Sequence, residues 1–277
     1  ACVYPVSEGM EVFTNTEKVQ NSRKMTLELI LSDHNKDCLS CIRNNKCELQ
    51  KLSAEYDCKS SRFIGATNNH LPDNSTDYLI RDNSKCILCR RCVAACTKRQ
   101  EVAVIGANDR GFDTHIGSAF DMELKNVPCV ACGQCITVCP TGALTEKDET
   151  YKVERAIADG TKHVVVGVAP SVRIGLGEEF GFPIGSNVEG EMVTALRMLG
   201  FDRVFDVNFT ADLTIMEEGY EFLDRLNNGG KLPMITSCSP GWIKYIEHYY
   251  PQYLDHLSTC KSPMSMYGAV SKTYYAE

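Results

Sequence analysis

Two rhythms of apolar and polar positions divide this chain. From His163 to Val168 the run His163-Val164-Val165-Val166-Gly167-Val168 is short, β-branched and continuous, which is the pattern of a buried strand, and Arg203 to Val207 reads as a second strand. Glu191 to Leu199 and Met216 to Leu226 carry helical spacing. The second helix is followed by Asn227-Asn228-Gly229-Gly230, a helix stop, because glycine accepts the left-handed turn that ends a helix. Strand and helix therefore alternate in the last part of the chain, which predicts an α/β unit. At the other end, Thr14-Asn15-Thr16-Glu17 offers side-chain oxygens ahead of a helix running through Met25 to Leu31. Between these regions Asn68 to Asp77 is polar and rich in Asn, Asp and Ser, and reads as a linker.

Composition narrows the class. A chain of 277 residues is long enough for more than one core. A formal charge of −7 and a pI near 5.5 disfavour a nucleic-acid surface, which needs clustered Lys and Arg, so a protein or small-molecule partner is expected. The longest apolar run, Val164 to Pro170, is far short of the roughly 18 residues that cross a bilayer, so a soluble, cytoplasmic protein without a membrane span is expected. The 15 cysteines crowd into ligand-like spacings instead of spreading as a secreted disulfide framework does, which implies a reducing compartment. The chain opens at Ala1 without a signal pattern and stops at Tyr274-Tyr275-Ala276-Glu277, which reads as a fragment.

The cysteines carry the chemistry. Cys86-x2-Cys89-x2-Cys92-x3-Cys96 recurs as Cys129-x2-Cys132-x2-Cys135-x3-Cys139 followed by Pro140, an internal duplication. Three thiolates of a run hold three corners of one 4Fe-4S cubane and the fourth reaches the other cluster. Cys86, Cys89, Cys92 and Cys139 are thus assigned to one cubane, and Cys129, Cys132, Cys135 and Cys96 to the other. Zinc is a poor competitor for such runs. Upstream, His34-x3-Cys38-x2-Cys41-x5-Cys47 supplies one imidazole and three thiolates, and its spacing alone fits zinc as well as iron. The neighbouring cubanes favour iron, since only an iron cluster extends an electron path. Cys58 and Cys260 read as packing residues, and Trp242 likewise.

In this order the motifs resemble the catalytic subunit of FeFe-hydrogenases, along nearly the whole chain. Ala169-Pro170-Ser171-Val172-Arg173, Phe209-Thr210-Ala211-Asp212 with Thr214-Ile215-Met216-Glu217-Glu218, and Thr236-Ser237-Cys238-Ser239-Pro240-Gly241-Trp242 carry the resemblance downstream. It implies an α+β multidomain chain. Residues 1–30 would end a 2Fe-2S ferredoxin-like domain, 31–70 hold the histidine/three-cysteine segment, 76–150 form a two-cubane ferredoxin-like domain, and 151–277 begin an α/β hydrogen-cluster domain. It further implies three 4Fe-4S clusters, a 2Fe-2S cluster whose last ligand is Cys2, and a hydrogen cluster, a cubane bridged to a di-iron subsite, bound near Ala169, Pro170, Ser171 and Ser239. Here the sequence departs from the family. Its signature has two consecutive cysteines, the first passing protons and the second ligating the cubane, and this chain has Ser239 in the second place; a hydroxyl is a far poorer iron ligand than a thiolate. The family's later cluster-binding signatures do not occur in the chain.

The resemblance also implies a proton relay of Cys238, Glu218, Ser258, Glu221 and Arg225. From periodicity alone, Glu218, Glu221 and Arg225 are one polar stripe of a helix, readable as a solvated face with a Glu221 to Arg225 ion pair. Pro240 suits a first helical turn, which places Cys238 at a helix N-terminus where the dipole favours thiolate. The relay needs glutamates whose pKa values lie near the operating pH. The implied activity is reversible H2 oxidation and proton reduction, with ferredoxin or NAD(H)-linked partner subunits exchanging electrons. A complex I-like or formate-dehydrogenase electron-transfer subunit shares the first half of the pattern, and a sensing or assembly protein of the same fold is a third reading.

Overall fold

A computed structural model describes residues 4–58, 62–68 and 70–277. The chain divides into two compact units, one of residues 1–129 and 133–147, the other of 130–132 and 148–277. The break falls at Lys147/Asp148, against 150/151 expected from the sequence.

The first unit opens with α1 (Glu17–Asp33), whose N-cap Thr16 accepts from the Val19 amide. After α2 (Glu48–Glu55), Leu27, Leu49 and Cys58 form a small core with Ile30, Leu31 and Leu52 around it. The cysteine runs are framed by short elements: β1 (Leu79–Arg81), α3 (Arg91–Ala94), β2 (Gly106–Asn108), β3 (His115–Gly117), α4 (Gln134–Thr137) and β4 (Leu144–Glu146). β1 and β4 pair antiparallel, with Ile80 opposite Thr145, so the strand before the first run lies beside the strand after the second. β2 and β3 form a separate antiparallel pair. Leu79, Cys92, Ile105, Ile116, Leu124, Val127, Ile136 and Leu144 make the buried core.

The expected linker does more than connect. Asp73 bridges to Arg81 backbone to backbone, and its carboxylate accepts from Arg81 Nη2 at 3.2 Å and from the Leu124 amide at 3.0 Å. Thr76 is buried, and its hydroxyl donates to the Leu79 carbonyl. Short polar side chains here satisfy buried backbone groups, so polarity in the sequence does not mark exposure.

The second unit holds α5 (Thr150–Ala158), β5 (Val165–Val168), α6 (Val172–Glu179), α7 (Glu189–Met198), β6 (Arg203–Asp206), α8 (Asn208–Asn228), α9 (Pro240–Tyr249) and α10 (Pro263–Lys272). β5 and β6 are parallel neighbours, Val166 opposite Val204, joined through α6 and α7. This is the α/β alternation the sequence predicts. The predicted helix Met216 to Leu226 is the second half of the longer α8, which ends at Gly229 in the left-handed conformation, φ 80°. Gly167 lies under the ring of Tyr267 from α10, where an added Cβ would come within 2.5 Å of Cε1.

Candidate metal centres and the signature loop

The histidine/three-cysteine segment builds a cage from chain ends. His34 caps the C-terminus of α1, Cys38 and Cys41 flank a single 3-10 turn, and Cys47 caps the N-terminus of α2. His34, Cys38, Cys41, Cys47 and Gly142 line one cavity. Three observations fit a metal cluster there. His34 Nδ1 is buried without a hydrogen-bond partner. Burial first, and the Lys85 charge second, lower the His34 pKa and keep the imidazole neutral, as a ligand must be. A Cβ on buried Gly142 would stand 2.7 Å from Cys41 Sγ, so glycine there keeps the sulfur free. Glu48 N donates to the Pro140 carbonyl and Arg43 Nη2 to that of Ile136, fastening the cage to the second cysteine run.

Cys86, Cys89, Cys92 and Cys139 together line a second cavity. The fourth cysteine of the second run thus lies beside the first three of the first run. The duplication extends to the backbone: Leu88 and Arg90 have φ of 54° and 59°, and the matching Ala131 and Gly133 have 56° and 71°. These left-handed residues give the two loops the same local turn, and the Leu88 amide donates to Cys86 Sγ at 3.4 Å. Burial, then the neighbouring Cys86, Cys139 and Cys89, push the Cys92 thiol up to about 12. Cys92 so held does not ionise by itself; an iron cluster would supply the positive charge that lets it. Of the other set, Cys96, Cys129 and Cys135 pack against the same core, and Cys132 is exposed. Burial first, then a hydrogen bond with Cys129, raises the Tyr78 pKa. Cys2 lies outside the described residues.

Asp109, His115 and Asp121 also converge, with ligand atoms within 4.8 Å of one another. His115 Nδ1 faces the Asp113 carbonyl at 3.0 Å and Nε2 faces Asp121 Oδ1 at 2.7 Å. With an acceptor facing each nitrogen, the ring is placed to donate from both, which leaves no lone pair for a metal when it is protonated.

In the second unit, Ala169, Pro170 and Ser171 are exposed between β5 and α6, and Cys238 and Ser239 are exposed at the start of α9, with Ser239 as N-cap and Pro240 in the first turn. In the same unit, Glu221 of α8 is the hub of a network. Its Oε2 accepts from Ser258 Oγ at 2.8 Å and the Thr259 amide at 3.0 Å, and its Oε1 from Arg225 Nη2 at 2.6 Å. Arg225 also donates to the carbonyls of Leu257, Asp255 and Lys231. The structure joins Glu221, Ser258 and Arg225 directly; Cys238 and Glu218 make no hydrogen bond to them. Burial alone would raise the Glu221 pKa, but hydrogen bonds from Ser258, Arg225 and Thr259 outweigh it, so the carboxyl stays below its ordinary value. Cys260, expected to be mere packing, places Sγ 3.5 Å from Glu221 Oε2. The usable signal was its position two residues after Ser258.

These sites define an iron-sulfur protein: a histidine/cysteine cage and a duplicated cysteine run, followed by an α/β unit with a cysteine-bearing loop. Residues 162–277 match the family of the iron only hydrogenase large subunit, C-terminal domain; residues 23–62 match the NADH-ubiquinone oxidoreductase-G iron-sulfur binding region; residues 85–143 match the 4Fe-4S dicluster domain. The chain is 48% identical, over all of its length and 48% of the relative's, to the NADP-reducing hydrogenase subunit HndD of Solidesulfovibrio fructosivorans. It is 41% identical to iron hydrogenase 1 of Clostridium pasteurianum, over 99% of this chain and 48% of that one. Among solved structures, an NAD+-reducing [NiFe]-hydrogenase in the H2-reduced state aligns at a TM-score of 0.50 and 26% identity, covering 53% of this chain and 63% of that one. The chain belongs to the FeFe-hydrogenase large-subunit family, and it spans about half the length of these curated hydrogenase relatives.

Proposed function

We propose that the chain is part of the iron-sulfur catalytic subunit of an FeFe-hydrogenase, which interconverts H2 with protons and electrons. The observation that carries this is the match of residues 162–277 to the hydrogenase domain, together with the Cys238 loop and the Glu221, Ser258 and Arg225 network inside that stretch. His34, Cys38, Cys41 and Cys47 would hold one 4Fe-4S cluster, and the two interlocked sets of four cysteines one cubane each. Cys2 would be the last ligand of a 2Fe-2S cluster. These clusters would carry electrons to partner subunits, ferredoxin- or NAD(P)-linked, in the cytoplasm; no described helix is long and apolar enough to cross a membrane.

The hydrogen cluster, when bound, supplies the chemistry that cleaves or forms H2. The residues here do the rest. Ala169, Pro170 and Ser171 would line its site. Cys238 would exchange protons from a loop that opens a helix, where the dipole favours thiolate. Ser239 offers a hydroxyl where the family has a ligating thiolate, so this chain's donors fit the cubane poorly at that corner. Glu221, held ionised by its donors, would take up a proton only transiently, against its lowered pKa. Arg225, with its donors engaged and its charge permanent, clamps Glu221 and would relay no proton itself.

A second reading, an electron-transfer subunit without H2 chemistry, draws on the match of residues 23–62 to the NADH-ubiquinone oxidoreductase-G region. Iron and sulfide quantified on anaerobically purified full-length protein, with infrared spectra in the CO and cyanide stretching region, separate the two. Bands with iron beyond the accessory clusters are expected. Accessory iron alone, without bands, would favour the second reading. In the complete enzyme Glu218→Gln should preserve the clusters and remove most turnover.

A further inference from the structure

We propose that Cys260 is an additional relay thiol of the hydrogenase site, exchanging its proton with the Glu221 carboxylate alongside Ser258. This deepens the relay reading above and rests on it. Three contacts fix the residue. Its carbonyl accepts from Ser237 Oγ at 3.1 Å, tying it to the loop that carries Cys238. Its amide donates to Ser258 Oγ at 3.1 Å. Its Sγ lies 3.5 Å from Glu221 Oε2, the oxygen that Ser258 bonds at 2.8 Å.

The chemistry favours the thiol over the hydroxyl as the group that gives up a proton. Ser258 has a single proton, already donated to Glu221, and one of its lone pairs takes the Cys260 amide. An alcohol hydroxyl is far less acidic than a thiol, whose ordinary pKa is about 8.5. At Cys260, burial and the charges of Glu221 and Glu218 raise the pKa, so the thiol rests protonated with both glutamates acting on it. Glu221 rests ionised against Arg225. In the exchange the S–H bond of Cys260 breaks as an O–H bond forms on Glu221 Oε2. The thiolate left behind takes the next proton from the Glu218 side. No electron moves, and one proton enters for each that leaves.

The test uses the complete, matured enzyme. Cys260→Ala should lower H2 turnover by about a hundredfold or more, the range of a lost acid-base group, with iron content and the CO and cyanide bands unchanged. Cys260→Ser should recover only part of the rate. An infrared S–H stretch should vanish in Cys260→Ala, persist in Ser258→Ala and shift in Glu221→Gln. Wild-type turnover in Cys260→Ala, or no S–H band that responds to Glu221→Gln, would overturn the assignment. Glu218→Gln distinguishes the two levels: full activity there sinks the relay itself, whereas lost activity there with an indifferent Cys260→Ala sinks only the role of Cys260.

Discussion

Single side chains decide whether the clusters fit. Gly142 is buried, and any side chain there meets Cys41 Sγ. Gly142→Ala should therefore cost about 1–3 kcal/mol through overpacking, and it should lower iron content by one cluster while the two cubanes survive; an unchanged EPR spectrum and iron count would show that the sulfur moves aside freely. His115 gives a pH signature instead. Burial opposes its charge, but the hydrogen bond to Asp121, the Asp113 carbonyl and the charges of Asp121 and Asp109 raise its pKa above 6.5. Hydrogen bonds from His115 and Asn108 lower that of Asp121 below 3.8. The pair's contribution is fully present between these ordinary values. It fades as pH rises through the raised histidine pKa and as pH falls through the lowered aspartate pKa. Asp121 is 56% exposed, so screening keeps the effect small. Comparing the melting temperature of Asp121→Asn with that of the wild-type holoprotein should show a gap that is widest in mildly acid solution and closes in alkali. A gap independent of pH would mean a neutral hydrogen bond.

At the scale of elements, α8 is held at its C-terminal end by one arginine. Arg225 forks to Glu221 and to the carbonyls of Leu257, Asp255 and Lys231. Arg225→Lys keeps the charge but loses the fork, so denaturant unfolding should show a loss of about 1–3 kcal/mol; an unchanged midpoint would demote the clamp to decoration. The sequence reached this helix only partly. Its end was legible because Gly229 follows Asn227 and Asn228, but its start was not. Thr210 and Thr214, with low helix propensity, are buried and bond back to the Val207 and Thr210 carbonyls, so tertiary packing carries the first turns. The cysteine runs were legible as spacing, and the crossing of Cys139 to Cys86, Cys89 and Cys92 was readable from it. The left-handed Leu88 and Arg90 were not, because nothing about either residue type favours that conformation. Asn68 to Asp77 misled for a different reason: Asp73 and Thr76 spend their polarity on buried partners.

Across the whole chain the two units obtain their order differently. In the first, strands are three residues long and α3 and α4 four. Much of what packs on its core is cysteine of the two runs: Cys86, Cys96, Cys129, Cys135 and Cys139 surround it, and Cys92 belongs to it. Elements that short do not persist on local propensity alone, so we expect cluster binding to contribute to the folding of this part of the unit. The second unit has a parallel strand pair and the 21-residue α8, packed on α10. Its α8 also leaves Phe209, Ile215, Met216, Tyr220 and Leu223 exposed. Stripping iron anaerobically with a chelator should therefore melt the first unit selectively. Hydrogen exchange would show amides of residues 79–146 losing protection while those of 208–228 and 263–272 keep theirs and the helical circular dichroism falls only in part. Equal loss in both units would mean that the second also depends on the clusters; no loss in the first would mean that its small apolar core suffices without metal.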